Sequence, residues 1–235
     1  MRWQEGASTE RRVLERPFRV ECDGEEVPGL VWTPEASLGE RPLVLIGHGG
    51  ASNMRSDYVV RLARRLVRHL GYAAVALEGP NHGERHVPGQ DRGWWQPEVV
   101  DQVIAEWEAA VAALRDDPGI GTGPLGYWGL SMGARFGIPL IARGPQIAAA
   151  VVGLSGPRDS EDPIVKDAAA VSCPVLFLLQ WHDELVAREK GLALFDAIGS
   201  EDKRLHAQPG PHRGVPPEEF DASEAFLGAR LGPSR

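Results

Sequence analysis

A repeated change of hydrophobic period constrains this chain more than any other feature. Short apolar runs, bounded by glycine, proline or polar turns, alternate with stretches whose apolar residues recur every three or four positions. PLVLIGHG (42–49) reads as a buried strand ending in glycines. After it, Tyr58, Val59, Leu62, Ala63, Leu66, Val67 and Leu70 mark one helix face, and Gly71 stops that helix. YAAVALEG (72–79) is the next strand. Pro97 then opens a second helix, marked by Val100, Val103, Ile104, Trp107, Val111 and Leu114. PLGYWGL, IAAAVVGLS and CPVLFLLQW are further strands, and DKRLHAQ is edge-like. Helices are expected over SMGARFGIPLIA (bent or ended near Pro139), AREKGLALFDAI and PPEEFDASEAFLGARL. FRVEC and EVPGLVW alternate and add an antiparallel start. The pattern predicts an α/β fold: a mostly parallel twisted sheet of about eight strands with helices on both faces. One domain over 1–235 accommodates it, and two long irregular segments, 79–96 and 156–172, are candidate binding loops.

Composition narrows the partners. A formal charge of −8 gives no basic footprint for nucleic acid or an anionic membrane. Arg61, Arg64, Arg65 and Arg68 cluster at helical spacing and read as a solvated helix face. Cys22 and Cys173 lie far apart, without a C-x-x-C partner, which fits a reduced, cytoplasmic compartment. The N-terminal MRWQEGASTERR has no apolar signal region, and no run approaches the length of a membrane span. Self-association is left open by the sequence.

The chemistry concentrates in YWGLSMGARFG (127–137). Gly129-Leu130-Ser131-Met132-Gly133 fits G-x-S-x-G, a weak signal alone, but an apolar strand precedes it and a helix follows. A chain turning from strand to helix within three residues forces Ser131 into a strained backbone. Flanking glycines remove the Cβ clashes, so the hydroxyl can stand above the sheet. The helix N-terminus supplies N–H groups where an oxyanion would form. A plain N-cap would explain the serine but not both glycines.

A nucleophilic serine needs a base, and the base an orienting acid. Asp183, in LLQWHDELV, follows a strand. His212, in the loop of HAQPGPHRGVPPEEF, lies between the last strand and the last helix. The order Ser, acid, His places three sequence-distant groups at the carboxyl edge of the sheet, where open α/β sheets bind ligands. Glu184 is the rival acid. His206, inside a strand, reads as structural or exposed, His182 as a loop surface residue and Ser155 as a turn. No metal-ligand spacing such as H-E-x-x-H occurs, so neither metal nor cofactor is expected. Trp94 and Trp95, in the long loop, are either core or the wall of a substrate pocket.

With these residues the chain resembles the α/β-hydrolase superfamily, most closely its small dienelactone-hydrolase-like and acyl-esterase members. The resemblance rests on His48-Gly49-Gly50, the elbow at Ser131, HDELV and PGPH, and spans nearly the whole chain. EGPNHGER is similar to the family's D-x-x-G-H-G-x-S loop but departs from it at Glu78 and Arg85. Typical dienelactone hydrolases carry Cys where this chain has Ser131. The resemblance implies an oxyanion hole from the Met132 N–H and that of Gly50 or Ala51, and brace roles for His48 and His82. It implies a serine hydrolase of small to medium carboxylic esters, without a large cap domain and acting through an acyl-enzyme. Peptide, amide, thioester or lactone hydrolysis on the same triad, or a non-catalytic binding protein of this fold, are the alternatives.

Overall fold

The computed structural model describes residues 1–35, 39–89, 93 and 95–233. In chain order the elements are β1 (Arg2–Trp3), β2 (Ser8–Glu10), β3 (Val13–Cys22), β4 (Glu25–Pro34), β5 (Leu43–Gly47), α1 (Asp57–Leu70), β6 (Ala73–Leu77) and α2 (Pro97–Arg115). There follow β7 (Leu125–Leu130), α3 (Met132–Arg143), β8 (Ile147–Gly153), α4 (Ile164–Ala170), β9 (Val175–Gln180), α5 (Arg188–Ala197), β10 (Lys203–Gln208) and α6 (Pro217–Leu231).

The strands form a ten-stranded sheet in the order β1-β3-β4-β6-β5-β7-β8-β9-β10, with β2 also paired to β3. Pairing is antiparallel from β1 to the β4–β6 contact and parallel from β6 through β10. Eight of these strands were expected; β1 and β2 are additions at the N-terminus. The pleat sends alternate residues to opposite faces. Leu43 and Leu45 of β5 pack in the layer formed by α2, α3, α4 and α5, and Val44 and Ile46 in the layer of α1 and α6. Both faces are covered, as a parallel sheet requires.

Gly71 ends α1 in the left-handed region (φ 71°) and donates its N–H to Val67 O. Two readings need correction. Pro139 does not end α3: the helix runs on to Arg143. One missing N–H is outweighed by burial of the flanking Ile138 and Leu140. The arginines of α1 are also more than a solvated face. Arg64 pairs with Glu10 at 2.6 Å, and Arg65 with Glu224 at 2.9 Å and with Asp221, because β2 and α6 flank this helix. Exposed pairs of this kind contribute about 0–1 kcal/mol each. Between β8 and β9 the chain forms one short helix, α4, and no cap.

Candidate active site

Ser131 caps α3 with φ 58° and ψ −118°, a conformation that side chains other than glycine rarely take. Its N–H donates to Gly153 O (2.9 Å), tying the turn to the neighbouring strand. Both flanking glycines are sterically required. A Cβ on Gly133 would stand 2.4 Å from Gly47 O, and one on Gly129 would stand 2.8 Å from the Gly133 carbonyl. Tyr127, fully buried, holds the same helix from below by donating its hydroxyl to Gly133 O at 2.6 Å.

His212 Nε2 lies 2.9 Å from Ser131 Oγ, and His212 Nδ1 lies 2.7 Å from Asp183 Oδ2. The His212 and Asp183 side chains are only 8% and 3% exposed. Asp183 accepts the Leu185 and Val186 N–H groups on Oδ1 (2.8 Å each), which leaves Oδ2 for the imidazole. An ionised carboxylate can only accept, so Nδ1 carries the proton and Nε2 turns its lone pair to the serine. Glu184 faces the base differently: Oε2 accepts the His212 backbone N–H at 2.9 Å. That bond is the main reason its carboxyl sits below the usual range.

The Met132 N–H belongs to the first turn of α3 and has no intrahelical acceptor. Gly50 lies alongside: a Cβ there would be 3.7 Å from Met132 Cβ. Two histidines shape this corner. His48 is buried, donates from Nδ1 to Gly49 O (2.9 Å) and accepts the Gly79 N–H on Nε2 (2.9 Å). Burial lowers it to about 4, so it stays neutral. Burial likewise raises the Glu78 carboxyl, which accepts the Met54 N–H and lies 3.5 Å from His48 Nε2. His82 sits between the carbonyls of Pro80 (2.8 Å) and Gly50 (2.7 Å), joining the turn at residues 80–82 to the loop after β5. Arg85, a departure from the motif, forms a bidentate pair with Glu106 of α2 (2.7 and 2.8 Å).

A cavity of about 380 Å³ opens beside the Gly50–Ala51 backbone, with Asn53, Asn81, His82 and His86 among its walls. Trp95 is not one of its lining residues; it is 36% exposed, with the Arg158 guanidinium 5.8 Å above its ring. Trp94 lies outside the described residues. His182 is exposed, and His206 pairs with Glu219 at 3.0 Å. Among the described residues no group of three or more His, Cys, Asp or Glu side chains is placed to hold a metal ion. Among them, too, no helix is long and apolar enough to cross a membrane.

Several supports had no sequence signal. Tyr58 of α1 accepts the Gly49 N–H at 2.7 Å and shares a 2.8 Å hydrogen bond with Ser52 Oγ, bracing the loop after β5. Arg135, one turn after Ser131, forms a bidentate bond with buried Asp162 (2.6 and 2.7 Å). A polar pair at that spacing reads equally well as surface, and only the fold reveals its burial.

A model of the dienelactone hydrolase family matches residues 27–206. A cold-adapted esterase from an Arctic intertidal metagenomic library, in a PEG-bound complex, is 39% identical. The match covers 99% of this chain and all of that one, with a TM-score of 0.89. An acetyl xylan esterase from Paenibacillus sp. R4 (16% identity, 97% of this chain and 89% of that one, TM-score 0.78) shares the fold. So does an esterase of Pyrococcus furiosus (17%, 93% of each chain, 0.73). No curated protein matches the chain.

Proposed function

The chain belongs to the dienelactone hydrolase family, and on that premise we propose that it is a serine esterase acting through an acyl-enzyme. One observation carries the reading: His212 Nε2 presents its lone pair to Ser131 Oγ at 2.9 Å while Asp183 holds the opposite nitrogen. As Ser131 Oγ attacks the acyl carbonyl, His212 takes its proton and Asp183 stabilises the imidazolium. The carbonyl oxygen becomes an oxyanion, received by the Met132 N–H and that of Gly50 or Ala51. His212 then returns the proton to the departing alcohol. In the second half it removes a proton from water, which attacks the acyl group and frees Ser131 and a carboxylic acid.

The full-length likeness to a cold-adapted esterase supports ester substrates. The single short helix between β8 and β9 supports small, soluble esters over emulsified lipids. A sheet running from the first strand to β10 supports a single domain, and two free cysteines support a reducing, cytoplasmic setting. A ladder of p-nitrophenyl esters from acetate upward tests the function. The wild type should turn over the short members fastest, and Ser131→Ala should lose roughly 10³- to 10⁶-fold in kcat. Retention of more than about a tenth of the rate in that variant would remove the proposed nucleophile.

A further inference from the structure

His212 hangs from a glycine- and proline-rich loop between β10 and α6, and Asp183 restrains only its ring. The backbone beneath the ring is held separately. The peptide joining Pro211 to His212 has both polar groups engaged by side chains of one neighbouring segment. Its carbonyl accepts the Gln180 Nε2 hydrogen bond at 3.2 Å, and its N–H donates to Glu184 Oε2 at 2.9 Å. We infer that Gln180 and Glu184 form a clamp on this peptide plane, and that Glu184 is a positioning residue for His212. The inference rests on the serine-esterase reading of the site and deepens it.

The clamp is built into the fold. Gln180 ends β9 and is 2% exposed. A Cβ at position 210 would approach Gln180 Nε2 to 2.8 Å, so Gly210 keeps the donor's path open. The backbone zips up beside it: Trp181 N–H donates to Gln208 O (2.7 Å) and His182 N–H to Gly210 O (3.1 Å). Across the loop, Gly214 N–H donates to Pro211 O (2.8 Å) and closes a turn around the histidine. Glu184 follows Asp183, whose Oδ1 fixes the turn by accepting the N–H groups of Leu185 and Val186. His212 is therefore held at its ring Nδ1 by one residue of this turn and at its backbone N–H by the next.

The consequence is kinetic rather than structural. Glu184 is exposed, so truncating it removes one hydrogen bond and no core packing, and the fold loses little. The ring must nevertheless meet Ser131 within hydrogen-bond reach, and a displacement near 1 Å costs about 10²-fold in rate. A glutamine at 184 keeps an acceptor oxygen at the same reach, whereas alanine keeps none.

The test compares Glu184→Ala, Glu184→Gln and His212→Ala on p-nitrophenyl acetate, with kcat, KM and Tm read for each. Glu184→Ala should lose about 10- to 100-fold in kcat, with KM within about 2-fold and Tm within about 2 °C. Glu184→Gln should stay within about 3-fold of the wild-type kcat. Wild-type kcat in the alanine variant, or equal loss in both variants, overturns the clamp. His212→Ala separates the two levels: it should be inactive whatever Glu184 does, and its retention of activity would overturn the esterase mechanism beneath.

Discussion

Replacing Gly133 by alanine tests the elbow mechanically. The added Cβ would stand 2.4 Å from Gly47 O, 2.9 Å from Gly47 C and 3.2 Å from His48 O. Non-bonded carbon contacts settle near 3.5 Å, so a gap of about 1 Å must open. The obstacle is the backbone of β5, a central strand with parallel partners on both sides, and no rotamer relieves it. Overpacking of this kind costs about 1–3 kcal/mol. Helix propensity returns less than about 1 kcal/mol, because Gly133 is only the second residue of α3. A net loss of about 1–2 kcal/mol lowers Tm by about 2–8 °C in a chain of this size. The easier movement is that of the α3 N-terminus, which carries Ser131 and Met132 with it. A shift of that size costs about 10²-fold in kcat. Thermal unfolding and steady-state hydrolysis of p-nitrophenyl acetate measure the two effects on one preparation. A variant with wild-type Tm and kcat within about 3-fold of normal would refute the steric account of the motif.

Other perturbations separate the roles around the site. Asp183→Asn should lower kcat by about 10⁴-fold: the Leu185 and Val186 N–H groups claim the amide oxygen, so the NH₂ faces His212 and enforces the wrong tautomer. Activity above a tenth of wild type in that variant would reject Asp183 as the orienting acid. For Asp162, burial alone would raise the carboxyl, but hydrogen bonds from Arg135 and from the Arg158 and Ile164 N–H groups bring it down to about 2. Its folded value lies below the ordinary 3.8, so its stabilisation is complete above pH 3.8 and drains away as pH falls through about 2. Asp162→Asn should flatten that part of the Tm–pH curve and cost about 3–5 kcal/mol at neutral pH by leaving Arg135 buried without its partner. An unchanged acid slope would contradict the assignment. Trp95→Ala should shift the ratio of kcat/KM between longer and shorter acyl esters while moving Tm by no more than about 2 °C. Lost stability with specificity untouched would make Trp95 a packing residue.

Local chemistry was legible where the backbone itself constrains residue type. The glycines around Ser131 were readable because only glycine fits between β7, α3 and β5. Short apolar runs were readable as strands because burial on both faces of a parallel sheet demands them. By contrast, β1 and β2 are exposed segments of two and three residues, too short to carry a pattern of their own, and their pairing with β3 comes from long-range register. The same limit hid the supports of the site. Tyr58, Tyr127, Arg135 and Gln180 are ordinary residues in ordinary positions, and their partners lie elsewhere in the chain or depend on burial that no local pattern reports. Glu184 shows the limit best. In the sequence it rivals Asp183, because two adjacent carboxyls look alike there and only the spacing to Leu185-Val186 favours the first. Only the fold sends one to the imidazole and the other to the backbone beneath it.

The central claim is that Ser131 is a nucleophile made reactive by His212. Its most direct test is to treat the protein with a fluorophosphonate and map the adduct by peptide mass spectrometry. One phosphonyl group should be found on the peptide carrying Ser131, with none after Ser131→Ala and greatly slowed labelling after His212→Ala. Stoichiometric labelling elsewhere in the chain, or undiminished labelling of the Ser131→Ala protein, would contradict it.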